Sequence, residues 1–151
     1  TQLQSSAASD VYKRQVPGFM KWLKIKNPSL FNKINGTNST KILNSHKDEI
    51  LKNTLDYFFF SNRSDEFPND SVTRFHLGNG AILDRINFCA DISAKALNSS
   101  AGIMVNYRYD LSNIDENHQM YFDEKILNCS KSILLMQKRY QDKKKLFNLS
   151  K

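Results

Sequence analysis

Three histidines, His46, His76 and His118, are the side chains of this sequence best suited to moving a proton near neutral pH. His46 falls in the first turn of an expected helix and His118 in a polar segment, so both are expected at the surface rather than in a site. His76 is placed differently, two residues before Gly78-Asn79-Gly80, where glycines let backbone come close to a bound molecule. A histidine there can hold a proton or deliver one to a ligand. On pattern alone the plainer alternative, a structural histidine beside a Gly-Asn-Gly turn, weighs more. Tyr107-Arg108-Tyr109-Asp110 ends an apolar run and is open in the same way, as pocket groups or as tyrosines that bridge core and water. Cys89 and Cys129 lack metal-ligand spacing and are expected to be two free thiols in a reducing compartment. No phosphate loop, dinucleotide fingerprint, Cys-x-x-Cys pair or serine elbow is present.

The elements that must position these groups are legible in parts. Pro17-Gly18 signals a turn, and Phe19 to Lys24 reads as a short helix with Phe19, Trp22 and Leu23 on one side. Asn35 to Thr40 is a polar loop and the expected mobile segment. Ser45 is the expected cap of a helix over roughly 46–60, with Asp48 and Glu49 in its first turn and a stripe of Ile50, Leu51, Leu55, Phe58 and Phe59. Val72, Arg74 and His76 alternate with Thr73, Phe75 and Leu77, which predicts a strand ending at the glycines. Ile82 to Cys89 fits either helix or strand. Ser93 caps a short helical stretch, Ile103 to Tyr109 is β-rich, and Ser130 caps a last helix along Ile133, Leu134, Met136, Gln137 and Tyr140. Strands interleaved with helices give an α/β (α+β) fold class, without internal repeats.

With 151 residues, 40% hydrophobic and 25% charged, the chain has the make-up of one globular domain. Its longest apolar runs, such as Tyr57 to Phe60, are four residues, far short of the roughly 20 residues of a membrane span, and no secretory signal is expected from its opening residues. The net charge of +7 is spread thinly apart from Lys143-Lys144-Lys145. Abundant lysine and asparagine look like the product of an AT-rich genome, so neither a nucleic-acid nor a membrane partner is expected. Residues 5–15 match the translated end of a common transposase sequencing adapter. Residues 1–15 are therefore expected to be a non-native, disordered segment, and residues 16–151 the domain.

Five motifs in register carry a family resemblance. Arg74-Phe75-His76-Leu77-Gly78-Asn79-Gly80-Ala81 resembles the signature of the malonyl-CoA decarboxylases. Arg85-Ile86-Asn87-Phe88-Cys89-Ala90-Asp91 resembles the family's Arg-Ile/Leu-Asn-Trp-x-Ala-Asp, with Phe88 for the tryptophan. Ser100 to Leu111 resembles Ser-x-Gly-Leu-Met-Val-Asn-Tyr-x-Tyr, and Ile114-x-x-Asn117-His118 and Pro17-Gly18-Phe19-x-x-Trp22-Leu23 also match in order. The resemblance covers about residues 16–140. It implies the C-terminal part of a catalytic domain, a partial acyl-CoA-binding domain like those of the GNAT acyltransferases with flanking helices. It also implies a reaction without cofactor or metal, malonyl-CoA giving acetyl-CoA and carbon dioxide. His76 takes the place of the family's proton-handling histidine and Tyr109 that of a pocket tyrosine; Asn79 is a substrate-binding neighbour by proximity.

The family's serine stands three positions before the second proline of Ser-Pro-Ile-Pro-Gly-Phe; here that place is Arg14. The expectation is a fragment of the enzyme, inactive alone because the serine and the CoA-contacting segments before it are absent. Two further functions are weighed: another CoA-dependent acyl transfer, and a non-catalytic basic module binding an anionic partner such as nucleic acid. The parent is expected to be a homo-oligomer in the cytoplasm, or in the mitochondrion or peroxisome of a eukaryote.

Overall fold

The computed structural model describes residues 9–150. Eleven elements follow one another: β1 (Ser9–Gln15), α1 (Phe19–Lys26), α2 (Pro28–Ile34), α3 (Thr40–Ser45), α4 (Lys47–Phe60), α5 (Ser71–Gly78), β2 (Ile82–Asn87), α6 (Ala94–Ser100), β3 (Met104–Asp110), α7 (Ile114–Glu124) and α8 (Lys131–Leu149). The strands form one antiparallel sheet in the order β1-β3-β2. Helices interleaved with an antiparallel sheet make the fold α+β.

The sheet is organised around β3. Antiparallel partners share a face, so Asp10, Tyr12 and Arg14 of β1 lie on the same side as Tyr109, Tyr107 and Val105. Leu83 and Ile86 of β2 join that side, with a bulge between Leu83 and Arg85. Val105, Tyr107 and Leu83 are fully buried there. The outer edge of β2 is covered, because Leu83 exchanges backbone hydrogen bonds with Asn128 and Ser130. Burying these residues with Phe19, Leu23, Leu55, Phe58 and Ile133 makes one continuous apolar cluster, the main favourable term for the fold.

Several sequence expectations hold. Helix α4 runs over the expected stretch and buries Ile50, Leu51, Leu55 and Phe58. The Ser93 and Ser130 hydroxyls accept from the backbone N–H of Ala96 and Ile133 and so cap α6 and α8. Ile82 to Asn87, open from sequence, is a strand. Both cysteines are free and half-buried.

Others are corrected. Ser45 is not the cap of α4: it ends α3, where its hydroxyl donates to Ile42 O at 2.7 Å, and His46 is the N-cap, half-buried rather than exposed. Thr40, placed in the polar loop, begins α3 behind a Ser39 cap. Residues 9–15, expected to be disordered, are β1, paired with β3 from Ser9↔Asp110 to Gln15↔Met104. Gln15 also donates to Asp91 at 2.9 Å, tying the strand to the loop before α6. Residues 1–8 of the adapter-like segment lie outside the described residues. The expected strand over Val72 to Leu77 is helix α5. Its buried residues, Thr73, His76 and Leu77, follow the helical period of three and four, not the period of two.

Candidate active site

Helix α5 carries His76, and both of its ends are fixed by local chemistry. At the start, Asp70 Oδ2 accepts from Thr73 N–H at 2.9 Å, a side-chain cap. At the end, Ala81 N–H reaches His76 O at 3.0 Å and Gly80 N–H reaches Leu77 O at 3.1 Å, the paired bonds of a Schellman motif. That motif needs a left-handed residue at its turn, and Gly80 supplies it at φ +90°. A Cβ on Gly80 would stand 2.5 Å from Ile114 O. The glycine thus brings two backbone segments together, α5 and the start of α7, rather than backbone and ligand. Helix α7 completes the anchoring: Asn117 Nδ2 donates to Gly80 O at 3.1 Å and His118 Nδ1 bonds Gly78 O at 2.6 Å. A carbonyl only accepts, so His118 carries its proton on Nδ1.

So held, the His76 ring lies over β3. Its plane stacks on the Tyr107 ring, 4.4 Å between centroids at 13°, and its Nδ1 is 2.7 Å from the Tyr109 hydroxyl. Tyr12 of β1 stacks more distantly at 6.2 Å and Phe75 meets the ring edge-on at 5.1 Å. The residue is 5% exposed. Burial, and secondarily the Arg14 guanidinium, hold the His76 pKa below its ordinary 6.5, so the ring is neutral at pH 7. Burial and the neighbouring Tyr12 push the Tyr109 phenol up, which keeps it a neutral hydroxyl able to donate. With Nδ1 engaged by Tyr109, Nε2 is the ring atom left to exchange a proton with a bound molecule.

The structure brings His76 and Tyr109 together, while the Asn79 side chain turns back to its own helix. Asn79 is the exposed C-cap of α5, and its Nδ2 donates to Phe75 O at 2.8 Å. His118 is exposed as expected, yet it secures the end of the helix that bears His76. Sequence reasoning singled out neither Thr73 nor Asp70, and left Tyr107 undecided between pocket and core. The signal was present in Asp70-x-x-Thr73 before a buried 73/76/77 face, but β-branched Val72 and Thr73 masked it. A cavity of about 950 Å³ between α1, α4 and α8, lined by Trp22, Lys52, Tyr140 and Asn148 among others, contains none of the candidate site residues.

Residues 9–146 match the family model described as malonyl-CoA decarboxylase C-terminal domain. The chain belongs to the malonyl-CoA decarboxylase family. The family match begins at Ser9, upstream of the domain start expected at Val16, and so takes in β1. The mitochondrial malonyl-CoA decarboxylase of Mus musculus is 38% identical over 90 residues, 60% of this chain and 18% of the mouse protein. That of Anser anser anser is 33% identical over the same length. Among solved structures, the malonyl-CoA decarboxylase of Rhodopseudomonas palustris matches with TM-score 0.77 and 32% identity, covering 85% of this chain and 33% of that one. The Agrobacterium vitis decarboxylase gives 0.75 and 31%, covering 85% and 35%. The chain thus spans about a third of the solved relatives it matches.

Proposed function

We propose that this chain is the proton-handling part of an enzyme that decarboxylates malonyl-CoA to acetyl-CoA and carbon dioxide. The observation that carries the proposal is the 2.7 Å bond between His76 Nδ1 and the Tyr109 hydroxyl, on a chain of the decarboxylase family. When the bond from the α-carbon to the carboxylate breaks, its electron pair is left on the α-carbon and shared with the thioester oxygen as an enolate. The site must offer that oxygen a hydrogen bond and that carbon a proton. His76 in its protonated form gives the proton from Nε2, and Tyr109 fixes the ring by its Nδ1. In that form Nδ1 also carries a proton and donates to the Tyr109 oxygen, so the Tyr109 hydroxyl proton is free for the thioester oxygen. No cofactor is needed, because the thioester itself takes up the charge.

Arg14 supports a second part of the proposal, that this polypeptide does not turn over malonyl-CoA. It stands where the family's motif has serine, and β1 places it on the same sheet face as Tyr107 and Tyr109. A guanidinium there has no hydroxyl to offer, and its charge discourages protonation of His76. A direct assay of acetyl-CoA formation by the chain is expected to read zero, and turnover above background would overturn the inactivity. Joining residues 16–151 to the upstream part of the Rhodopseudomonas palustris relative restores the serine-bearing segment that the family motif describes. That chimera is expected to release carbon dioxide from malonyl-CoA, and His76→Ala to slow it by roughly 10²–10⁴-fold. An active His76→Ala chimera would remove the role given to His76. The mitochondrial names of the mouse and goose relatives favour the mitochondrion over the cytoplasm for the whole protein, to be tested by fractionation.

A further inference from the structure

Beneath the His76–Tyr109 pair lies a buried polar chain that the proposed chemistry does not use. Tyr107 is fully buried, and its hydroxyl is 2.8 Å from Thr73 Oγ1, itself fully buried. Thr73 Oγ1 donates to Asp70 Oδ2 at 3.0 Å, and Asp70 is 2% exposed. Threonine has one hydroxyl proton, and Asp70 takes it. The bond to Tyr107 must therefore run the other way, with Tyr107 O–H donating to Thr73. At the far end Asp70 Oδ1 receives the Tyr57 hydroxyl at 3.5 Å. Every proton direction from Tyr107 to Asp70 is thereby fixed by the chain's own stoichiometry.

We infer that Asp70, Thr73 and Tyr107 form a directional hydrogen-bond chain that positions the His76 ring, with Tyr107 as the platform on which the imidazole lies. Thr73 and His76 are three residues apart on α5, so the threonine ties the hydroxyl of the same tyrosine whose face carries the imidazole. The Tyr107 ring then has one fixed in-plane orientation, and the 13° stack of His76 on it fixes the plane in which Nδ1 meets Tyr109. Polarisation adds a second effect. A tyrosine that donates its proton toward a carboxylate-terminated chain has a more electron-rich ring, and such a face favours a protonated imidazole above it. This counters the burial and the Arg14 charge that act against the imidazolium. The other groups facing the ring are Tyr12 and Arg14 of β1, Tyr109 of β3 and Phe75 of α5.

The catalytic value of this positioning rests on the role proposed for His76 in decarboxylation, but its physical content does not. The test therefore uses nuclear magnetic resonance of the full chain, without malonyl-CoA. In the unaltered protein the hydroxyl protons of Thr73 and Tyr107 are expected as slowly exchanging signals, each coupled through space to the other residue. Hydroxyl protons that exchange freely with water would overturn the chain, and this measurement needs no variant to fold. Tyr107→Phe keeps the stack and removes the hydroxyl; the His76 titration midpoint is expected to fall while its ring-current shift stays. Thr73→Val is expected to move the His76 ring signals toward those of an unstacked imidazole, and Thr73→Ser to restore them. A folded Thr73→Val protein with unchanged His76 signals, or a Tyr107→Phe midpoint equal to that of the parent, would reduce the chain to a structural feature. If the chain stands while the chimera described above is inactive, the decarboxylase proposal fails and the positioning does not.

Discussion

His76 is three things at once: a buried ring, a hydrogen-bond partner of Tyr109, and a group whose charge is discouraged by its surroundings. The last has a consequence for stability. Its folded pKa lies below the unfolded value of 6.5, so below pH 6.5 the unfolded chain binds the proton more readily than the folded one. The contribution of His76 is therefore complete above pH 6.5 and is lost as pH falls through that value toward the folded pKa. Urea midpoints at pH 7.5, 6 and 5 are expected to decline with acid, and His76→Gln to flatten part of that decline. An equal slope in the variant would show that other groups carry it. Cys129 is a second residue shaped by burial, which pushes its thiol up to about 11. At pH 8 it is almost wholly protonated, so alkylation by iodoacetamide is expected to be much slower in the folded chain than in urea. Equal rates in both would contradict its burial.

Helix α5 shows how an element can be misread and still be specified by its sequence. Val72-Thr73-Arg74-Phe75-His76-Leu77 alternates well enough for a strand, yet Asp70 caps it and Gly80 closes it, and these two outweigh the alternation. Of the helix's other apolar residues, Val72 is half-buried against the core and Phe75 is 64% exposed. Gly80→Ala is expected to cost about 2–3 kcal/mol, from the left-handed backbone and from the Cβ meeting Ile114 O. Urea denaturation of the variant measures it, and a loss under about 0.5 kcal/mol, the range of an inert surface change, would contradict the Schellman assignment. Helix α4 was legible because its stripe, its acidic first turn and its length all agreed. Helix α7 was not, since it buries only Tyr121 and otherwise reads as a polar segment. Its Asn117 and His118 nonetheless hold the end of α5, a contact nearly forty residues apart in sequence that no local pattern encodes.

At the scale of the molecule, β1 forms one edge of the sheet. It is exposed along nearly its whole length, yet it pairs with β3 at seven positions and seals the edge beside Tyr107 and Tyr109. Removing residues 1–15 would bare the β3 edge, and bare edges pair with other chains. Deletion is expected to lower stability by at least about 2 kcal/mol and to raise light scattering on concentration. A deletion with unchanged urea midpoint would show that the domain is complete from Val16 and that β1 is only an attached strand. The same deletion removes Arg14, so the His76 midpoint is expected to rise toward 6.5. The sequence by itself determined the family through the order of its motifs, and through them singled out His76 and Tyr109 as candidates. It also determined α4 through its apolar stripe and acidic first turn, and α6 and α8 through their serine caps. Only the tertiary structure decided that residues 9–15 join the sheet, that Asn117 and His118 hold the end of α5, and that Asp70, Thr73 and Tyr107 line up beneath the histidine. The reason is physical. Caps and periods act within a few residues, whereas the pairing of β1 with β3 and the stacking of His76 on Tyr107 join residues that meet only when the sheet and its helices pack together.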